Sequence, residues 1–480
     1  TSIREEQSPR VLDLRMRCLG RATQDLQAVV DLLEDADAAV VDKAAQLAAT
    51  LPPLSWCEDI ESLEATVEPP QPEDANAVDT ARHHLARAKS LRTTQRDEPA
   101  SAAVTAAAAA LEGVSYGPVN TELMLERGRV HTSLTEYDAA KDALHEALAL
   151  ALQWNQRSLA AEAAVRLVHL VGHLQLHPEA VASLEPVALG LAQGDVHAEI
   201  TARMFIVEIH EQDQWDEAEQ EYRRLLAVAE ATPDIQPLLV SRIRDSLAYA
   251  CLSTGKYAEA EAEYRSVLAL AEQVQGSDHP KVARIRGRLG DALTLQGKLE
   301  EAEAELSRAL VVVERALGAD HLDVAVVHMQ RGIVLHTQGR FEAAEAEYLT
   351  CMPTMLRVLG PKHPNIASAR HNLANTLGGL GRHAEAEAEH RAGLAVRLEA
   401  FGPDHLQVAY SRSDLAQALE RQGKLDEAVA EARAAVAVLE RTVSPGHPNI
   451  ASIRENLARM LRAQGKDEQA DEVIEGPSAP

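Results

Sequence analysis

The sequence predicts an all-α fold: a right-handed superhelical solenoid of about nine helix pairs behind an N-terminal helical cap. Three observations lead there. The 480-residue chain is 46% apolar yet only 3% aromatic, so Ala and Leu carry the core and favour helix throughout. A glycine returns every 42 residues, at Gly255, Gly297, Gly339, Gly381, Gly423 and Gly465. A histidine keeps the same step at His279, His321, His363, His405 and His447.

Each 42-residue unit reads as two helices. In the unit opened by "LGPKHPNIASARHNLANTLGGLGR" the first runs from about Pro364 to Leu380, with Ile366, Leu373, Leu377 and Leu380 at helical spacing. Gly381 then supplies a left-handed turn. The second runs from about Ala384 to Ala400, and Gly402, Pro403 and Asp404 break the pattern. Positions that stay small (Ala248, Gly290, Gly332, Ala374, Ala416, Ala458, and Ala260 to Ala470) are expected where the helices cross closely. The recurring His precedes the first helical turn, where four backbone N–H groups lack partners, so it is expected to cap rather than to bind metal. The Glu residues at two-residue spacing on the second helices read as solvated faces.

Charge and motifs narrow the function. Lys plus Arg is 47 against 74 Asp plus Glu, a net charge of −27, and no basic stripe offsets it, so no nucleic acid is expected as partner. No apolar run approaches the roughly 18–20 residues a membrane span needs, so no direct membrane insertion of this chain is expected. No nucleophile–base–orienter set stands out. No catalytic residue, metal ligand or cofactor is therefore assigned. The Gly-Lys pairs at 255, 297, 423 and 465 are turn residues without Walker spacing. Cys251 and Cys351 fall on core positions. Cys18 and Cys57 lie outside the repeats and have the option of pairing in an oxidising compartment. The start, "TSIREEQSPR", is polar and lacks an initiator Met, which reads as a mature product or an excised fragment rather than a signal peptide.

The organisation expected is a non-repeat helical segment over 1–66, a Pro-rich acidic linker over 67–77, degenerate repeats over 78–198, regular repeats over 199–475 and a disordered tail over 476–480. In the first segment, 11–37 reads as one long amphipathic helix and 38–63 as a second, ended by Pro52 and Pro53.

The stretches "GKYAEAEAEYRSVLAL" (255–270), "GKLEEAEAELSRAL" (297–310), "GRFEAAEAEY" (339–348) and "LGPKHPNIASARHNLA" (359–374) resemble the tetratricopeptide repeat in its 42-residue, kinesin-light-chain form. "LERGRVHTSLTEYDAAKDALHEAL" (125–148) is a weaker copy that keeps Gly128, Tyr137, Ala140 and Ala147. "LDLRMRCL" and "ADAAVVDKAAQLAATLPPLSWCED", followed by repeats, resemble the region C-terminal to the catalytic domain of large bacterial transmembrane Ser/Thr protein kinases. That resemblance implies a sensor or interaction region and an extracytoplasmic setting; in such a setting Cys18 and Cys57, both outside the repeats in a short helical pair, are expected to form a disulfide. No kinase residue carries over, because the chain has no GxGxxG loop, no HRD and no DFG. Without that context the same repeats suit a stand-alone cytoplasmic adaptor, or a regulator of a nucleotide-switch or transcription system.

The repeat resemblance also implies a site. Positions spaced i, i+3, i+4, i+7 on each first helix vary between repeats and share one face. In the family that face lines a concave groove, and its Asn residues hold the backbone of extended peptides. The partner-binding candidates are Arg284, Arg288 and Asp291, then Asn372 and Asn375, Asp414 and Gln417, and Asn456 and Arg459. The ligand expected is a peptide or protein. The Lys-rich clamp for a free C-terminus is missing.

Overall fold

The structure, a computed structural model, describes residues 9–41, 43–51, 54–57, 69–174, 181–210, 214–233, 235–442 and 448–475. Among these the regular elements are helices, with no strand. The chain divides into two compact units, Thr1–Leu270 and Ala271–Pro480.

The first unit opens with α1 (Pro9–Glu34), the long helix the sequence predicts. The predicted second helix is instead broken into α2 (Ala38–Val41), α3 (Ala44–Ala49) and a 3-10 turn at Leu54–Cys57. Residues 58–63 of that expectation lie outside the described residues. Cys18 and Cys57 are bonded, with Cα atoms 5.6 Å apart, which ties the turn onto α1. Thiol counting on denatured, unreduced protein is expected to find two free thiols, those of Cys251 and Cys351; four would refute the bond. Both free cysteines are buried, as expected. Burial pushes their thiols up, to about 11 and about 12, so they stay protonated.

Helix pairs follow. They are α4 (Ala75–Thr93) with α5 (Asp97–Ala110), α6 (Gly117–Ser133) with α7 (Tyr137–Gln153), α8 (Arg157–His169) with α9 (Glu185–Ala192), and α10 (Val196–His210) with α11 (Trp215–Ala231). Then come α12 (Pro237–Ser253) and α13 (Tyr257–Gln275). Helix α4 starts inside the stretch read as linker. The turns within the first two pairs use Gln95 and Thr135 at positive φ, where the regular repeats use glycine, and Asn155 takes the same conformation between α7 and α8. Helix α8 runs into a π turn at Leu170–Leu174 before the short α9.

The second unit holds α14 (Pro280–Leu295) and α15 (Leu299–Leu317), α16 (Leu322–Thr337) and α17 (Phe341–Leu359), α18 (Pro364–Gly379) and α19 (His383–Phe401). It ends with α20 (Leu406–Arg421) and α21 (Leu425–Thr442), then α22 (Pro448–Ala463) and α23 (Asp467–Glu475). That makes ten pairs among the described residues, one more than the period predicts. Each second helix packs on its own first helix and on the first helix of the next pair, so every repeat buries its apolar face only between neighbours. The small positions are close crossings, as expected: Gly290 faces Leu306 and Gly332 faces the Tyr348 ring. The left-handed turn glycines are there too, Gly381 at φ +77° and Gly402 at +81°. The tail over 476–480 lies outside the described residues.

The histidines cap. His279, His321, His363 and His405 each accept, through Nδ1, the backbone N–H two residues on, at 3.1 Å. His447 lies outside the described residues. Replacing His363 with Ala is expected to cost about 1 kcal/mol, and His363→Asn to recover most of it; denaturant midpoints of the two variants check this.

The carboxylates at two-residue spacing are not simply solvated, which corrects the sequence reading. One of each set faces its own first helix: Glu263 to Arg244, Glu347 to His328, Glu389 to Arg370 and Glu431 to Arg412, at 2.5–2.6 Å. The carboxylate two residues or more away reaches the turn of the next repeat: Glu219 to Lys256, Glu303 to Arg340, Glu345 to Arg382 and Glu387 to Lys424, at 2.7–2.9 Å. The basic residue after Gly255, Gly339, Gly381 and Gly423 is thus an inter-repeat latch.

Candidate ligand-binding face

The first helices of the second unit carry the predicted set on one face, but the set does not form one continuous site. Arg284 is exposed, and Arg288 and Asp291 are half-buried on α14. Asp291 accepts Gln330 Nε2 from the next first helix at 2.8 Å, and burial pushes its carboxyl up, to about 7. Arg459 on α22 is turned onto Glu420 of α20 and donates to Asn456 Oδ1 at 3.1 Å. Several variable positions therefore interlock neighbouring repeats as well as facing outward.

Between α18, α20 and α22 the face opens into a cleft of about 430 Å³. Of the predicted residues it brings together Asp414, Gln417 and Asn456; His371, Tyr410 and Ser413 join them. A smaller cavity of about 30 Å³ beside it is lined by Asn375, Asp414 and Gln417 with His390 and Arg421. Asn372 lines neither, and Arg284, Arg288 and Asp291 lie elsewhere on the face. His371 links the two: its Nδ1 lies 3.1 Å from Asp414 Oδ2, and its Nε2 lies 3.0 Å from Asn375 Nδ2.

The residue that sequence reasoning missed is Arg397, on the second helix α19. It lines the cleft while only 8% exposed. Its Nη1 donates to Ser411 Oγ at 2.6 Å, and among the described residues no carboxylate lies within ion-pair distance of it. Burial draws its pKa down, and nearby Asp414 opposes that. His390, slightly more buried, is held neutral: burial draws it down to about 4, against the pull of Asp414.

A signal for these residues exists in the sequence. At 42-residue steps the Arg397 position holds Ala271, Val313, Met355 and Leu439, all buried and apolar. The His390 position holds Tyr222, Tyr264, Leu306, Tyr348 and Ala432. The Ser411 position holds Ile285, Val327, Ala369 and Ile453. Three core positions turn polar in two adjoining repeats: Arg397 lines the cleft, Ser411 bonds to it, and His390 lines the smaller cavity beside it. A local break of an otherwise kept rule is the mark of a site rather than of packing.

Among the described residues no three His, Cys, Asp or Glu side chains are grouped to hold a metal ion, and no helix is long and apolar enough to cross a membrane.

Comparison with known proteins bears on the fold. The tetratricopeptide-repeat model matches residues 239–310, 282–353, 323–397, 365–441 and 415–475. Among curated proteins, none matches the chain. The solved structure of the apo quorum sensor NprR from B. thuringiensis is similar over 79% of this chain and 99% of its own, at 15% identity and a TM-score of 0.52. A Rap protein complexed with competence and sporulation factor covers 79% of this chain and 98% of its own, at 14% identity and a TM-score of 0.48. Nearly identical TPR-like repeats of kinesin-light-chain type from Podosopora anserina cover 41% of this chain and 93% of their own, at 22% identity and a TM-score of 0.38. The chain is an all-α repeat solenoid, and residues 239–475 of it are tetratricopeptide repeats.

Proposed function

We propose that the second unit is a protein-interaction scaffold that binds an extended peptide segment across α18, α20 and α22, with a ligand carboxylate pairing to Arg397. The observation that carries this reading is the buried guanidinium on the floor of the cleft. A guanidinium taken out of water with a hydroxyl as its bonded partner and Asp414 beyond ion-pair distance is costly, and an incoming carboxylate offsets that cost while making a two-pronged contact. Around it, Gln417 and Asn456 offer amides that both donate and accept, as a peptide backbone requires. An Asp or Glu side chain within the segment fits better than a free C-terminus, since the Lys-rich clamp for one is absent.

The test is to pan a peptide display library against the full chain and measure the enriched peptides by anisotropy. Enriched peptides are expected to carry Asp or Glu and to lose at least tenfold in affinity, about 1.4 kcal/mol, on Arg397→Leu. The double variant Gln417→Ala and Asn456→Ala, which removes the two amides of the cleft, is expected to weaken them as well. Unchanged affinity in both variants, with helical content retained, would move the site off this face.

We read the chain as the non-catalytic sensor or regulatory region of a bacterial Ser/Thr protein kinase. The N-terminal resemblance supports this. The Cys18–Cys57 bond supports an oxidising, extracytoplasmic setting over a cytoplasmic adaptor. A kinase domain and a membrane span encoded upstream of Thr1 would support the assignment, and a reading frame lacking both would overturn it.

A further inference from the structure

Helix α1 carries an apolar stripe that no other described part of the chain covers. Leu12, Leu19, Leu26 and Leu33 recur every seven residues, and Met16, Thr23 and Val30 fall between them in alternating steps of four and three. The six large apolar members are 36–59% exposed. The other flank of the helix is the packed one, with Val11, Ala28 and Val29 buried and Cys18 tethered to Cys57. A stripe with a period of 3.5 holds one seam toward a partner helix along its whole length.

The occupant that fits is a second α1. Elsewhere among the described residues, exposed large apolar side chains come one or two to a helix, so none offers a matching stripe. The exposed seam amounts to roughly 500 Å² per copy, and two copies bury about 1,000 Å², the lower limit for a specific interface. Charge sets the direction. The first half of the helix holds Arg10, Arg15, Arg17 and Arg21 with one acidic residue, Asp13, paired to Arg17, a net charge of +3; the second half holds Asp25, Asp31 and Glu34, a net charge of −3. Parallel alignment sets like against like, whereas antiparallel alignment sets each basic half against the partner's acidic half. Thr23, near the middle, then lies close to its counterpart, so the one polar step of the seam meets another.

We infer that the chain forms a homodimer through an antiparallel pair of α1 helices. Sedimentation equilibrium of the full chain with the disulfide intact is expected to give twice 51.9 kDa. The variant L19E/L26E is expected to weaken the dimer at least a hundredfold and run as a monomer with unchanged helical content. Should that variant misfold, L12Q/M16Q at the two most exposed positions of the stripe serves instead. A wild-type monomer at every concentration, or a folded stripe variant that still dimerises, overturns the proposal. Spin labels at Glu34→Cys are expected more than about 30 Å apart across the dimer, from the rise of 1.5 Å per residue; a short distance would refute the antiparallel arrangement.

Discussion

Replacing Glu126 with leucine is expected to lower the stability of the first unit by about 4 kcal/mol. Glu126 is 3% exposed on α6. It accepts Arg92 Nε at 2.9 Å and Arg129 Nη1 at 2.7 Å, and Arg129 also pairs with Glu162. Burial alone pushes the Glu126 carboxyl up, but the Arg92 and Arg129 guanidiniums outweigh it and hold it below the usual carboxylate range. Removing the carboxylate leaves Arg92 without this partner and Arg129 with one instead of two, in a largely buried site. The pH dependence follows from the direction of the shift. A depressed carboxylate contributes stability that is complete above its unfolded pKa, near 4.5, and is lost as pH falls through the lower folded value. Glu162 is depressed as well, with burial again opposing and Arg129 and Arg166 prevailing. Wild type is therefore expected to lose stability on acidification below about pH 4.5, and Glu126→Leu to show a shallower loss. Denaturant titrations at pH 7 and pH 3 measure both. Equal acid slopes would show that the network does not carry the dependence.

Gly332→Leu is expected to cost the second unit about 3 kcal/mol. A Cβ at this position would lie 2.7 Å from two atoms of the Tyr348 ring. Tyr348 is itself 1% exposed and packs with Leu373, Leu377 and Ala386, so the ring has nowhere to move. Gly378→Ala is the control on the neighbouring first helix. Its Cβ would meet only the far end of the Arg421 side chain, at 3.2 Å, which swings aside. There the gain in helix propensity is expected to leave stability unchanged or slightly higher. Thermal unfolding of the two variants separates close packing from a general intolerance of glycine replacement; similar losses in both would refute the packing account.

The contrast between the two units shows where the fold was legible. In the regular repeats, turn glycine, capping histidine and small crossing residue recur together, and the structure has them where the period places them. In 75–192 the same hairpins form, but Gln95, Thr135 and Asn155 occupy three of the left-handed turns. The geometry persists because the flanking helices pack well enough to hold a non-glycine residue there, at roughly 1–2 kcal/mol per turn. The sequence marker disappears with the glycine. The broken helix over 38–57 escaped for a related reason: its Ala-rich composition suits helix, and a bond between distant cysteines decides its path instead.

The sequence by itself determined what is local or periodic in this protein: helix throughout, the 42-residue step, the turns, the caps, and the face on which variable residues stand. These rest on contacts within a few residues, so spacing reports them directly. Only the tertiary structure decided which carboxylates latch repeats together, that Asp291 and Arg459 are spent on neighbours, and that Asp414, Gln417 and Asn456 share a cleft while Arg284 does not. Such pairings join residues 14 to 42 positions apart. They depend on how each helix is rotated against the next, which side-chain packing sets and periodicity leaves open. Arg397 lies between these two classes. Its departure from the apolar rule is written in the sequence, but its chemistry, a buried cation beside Ser411 at the floor of a cleft, exists only once α19 and α20 are packed together.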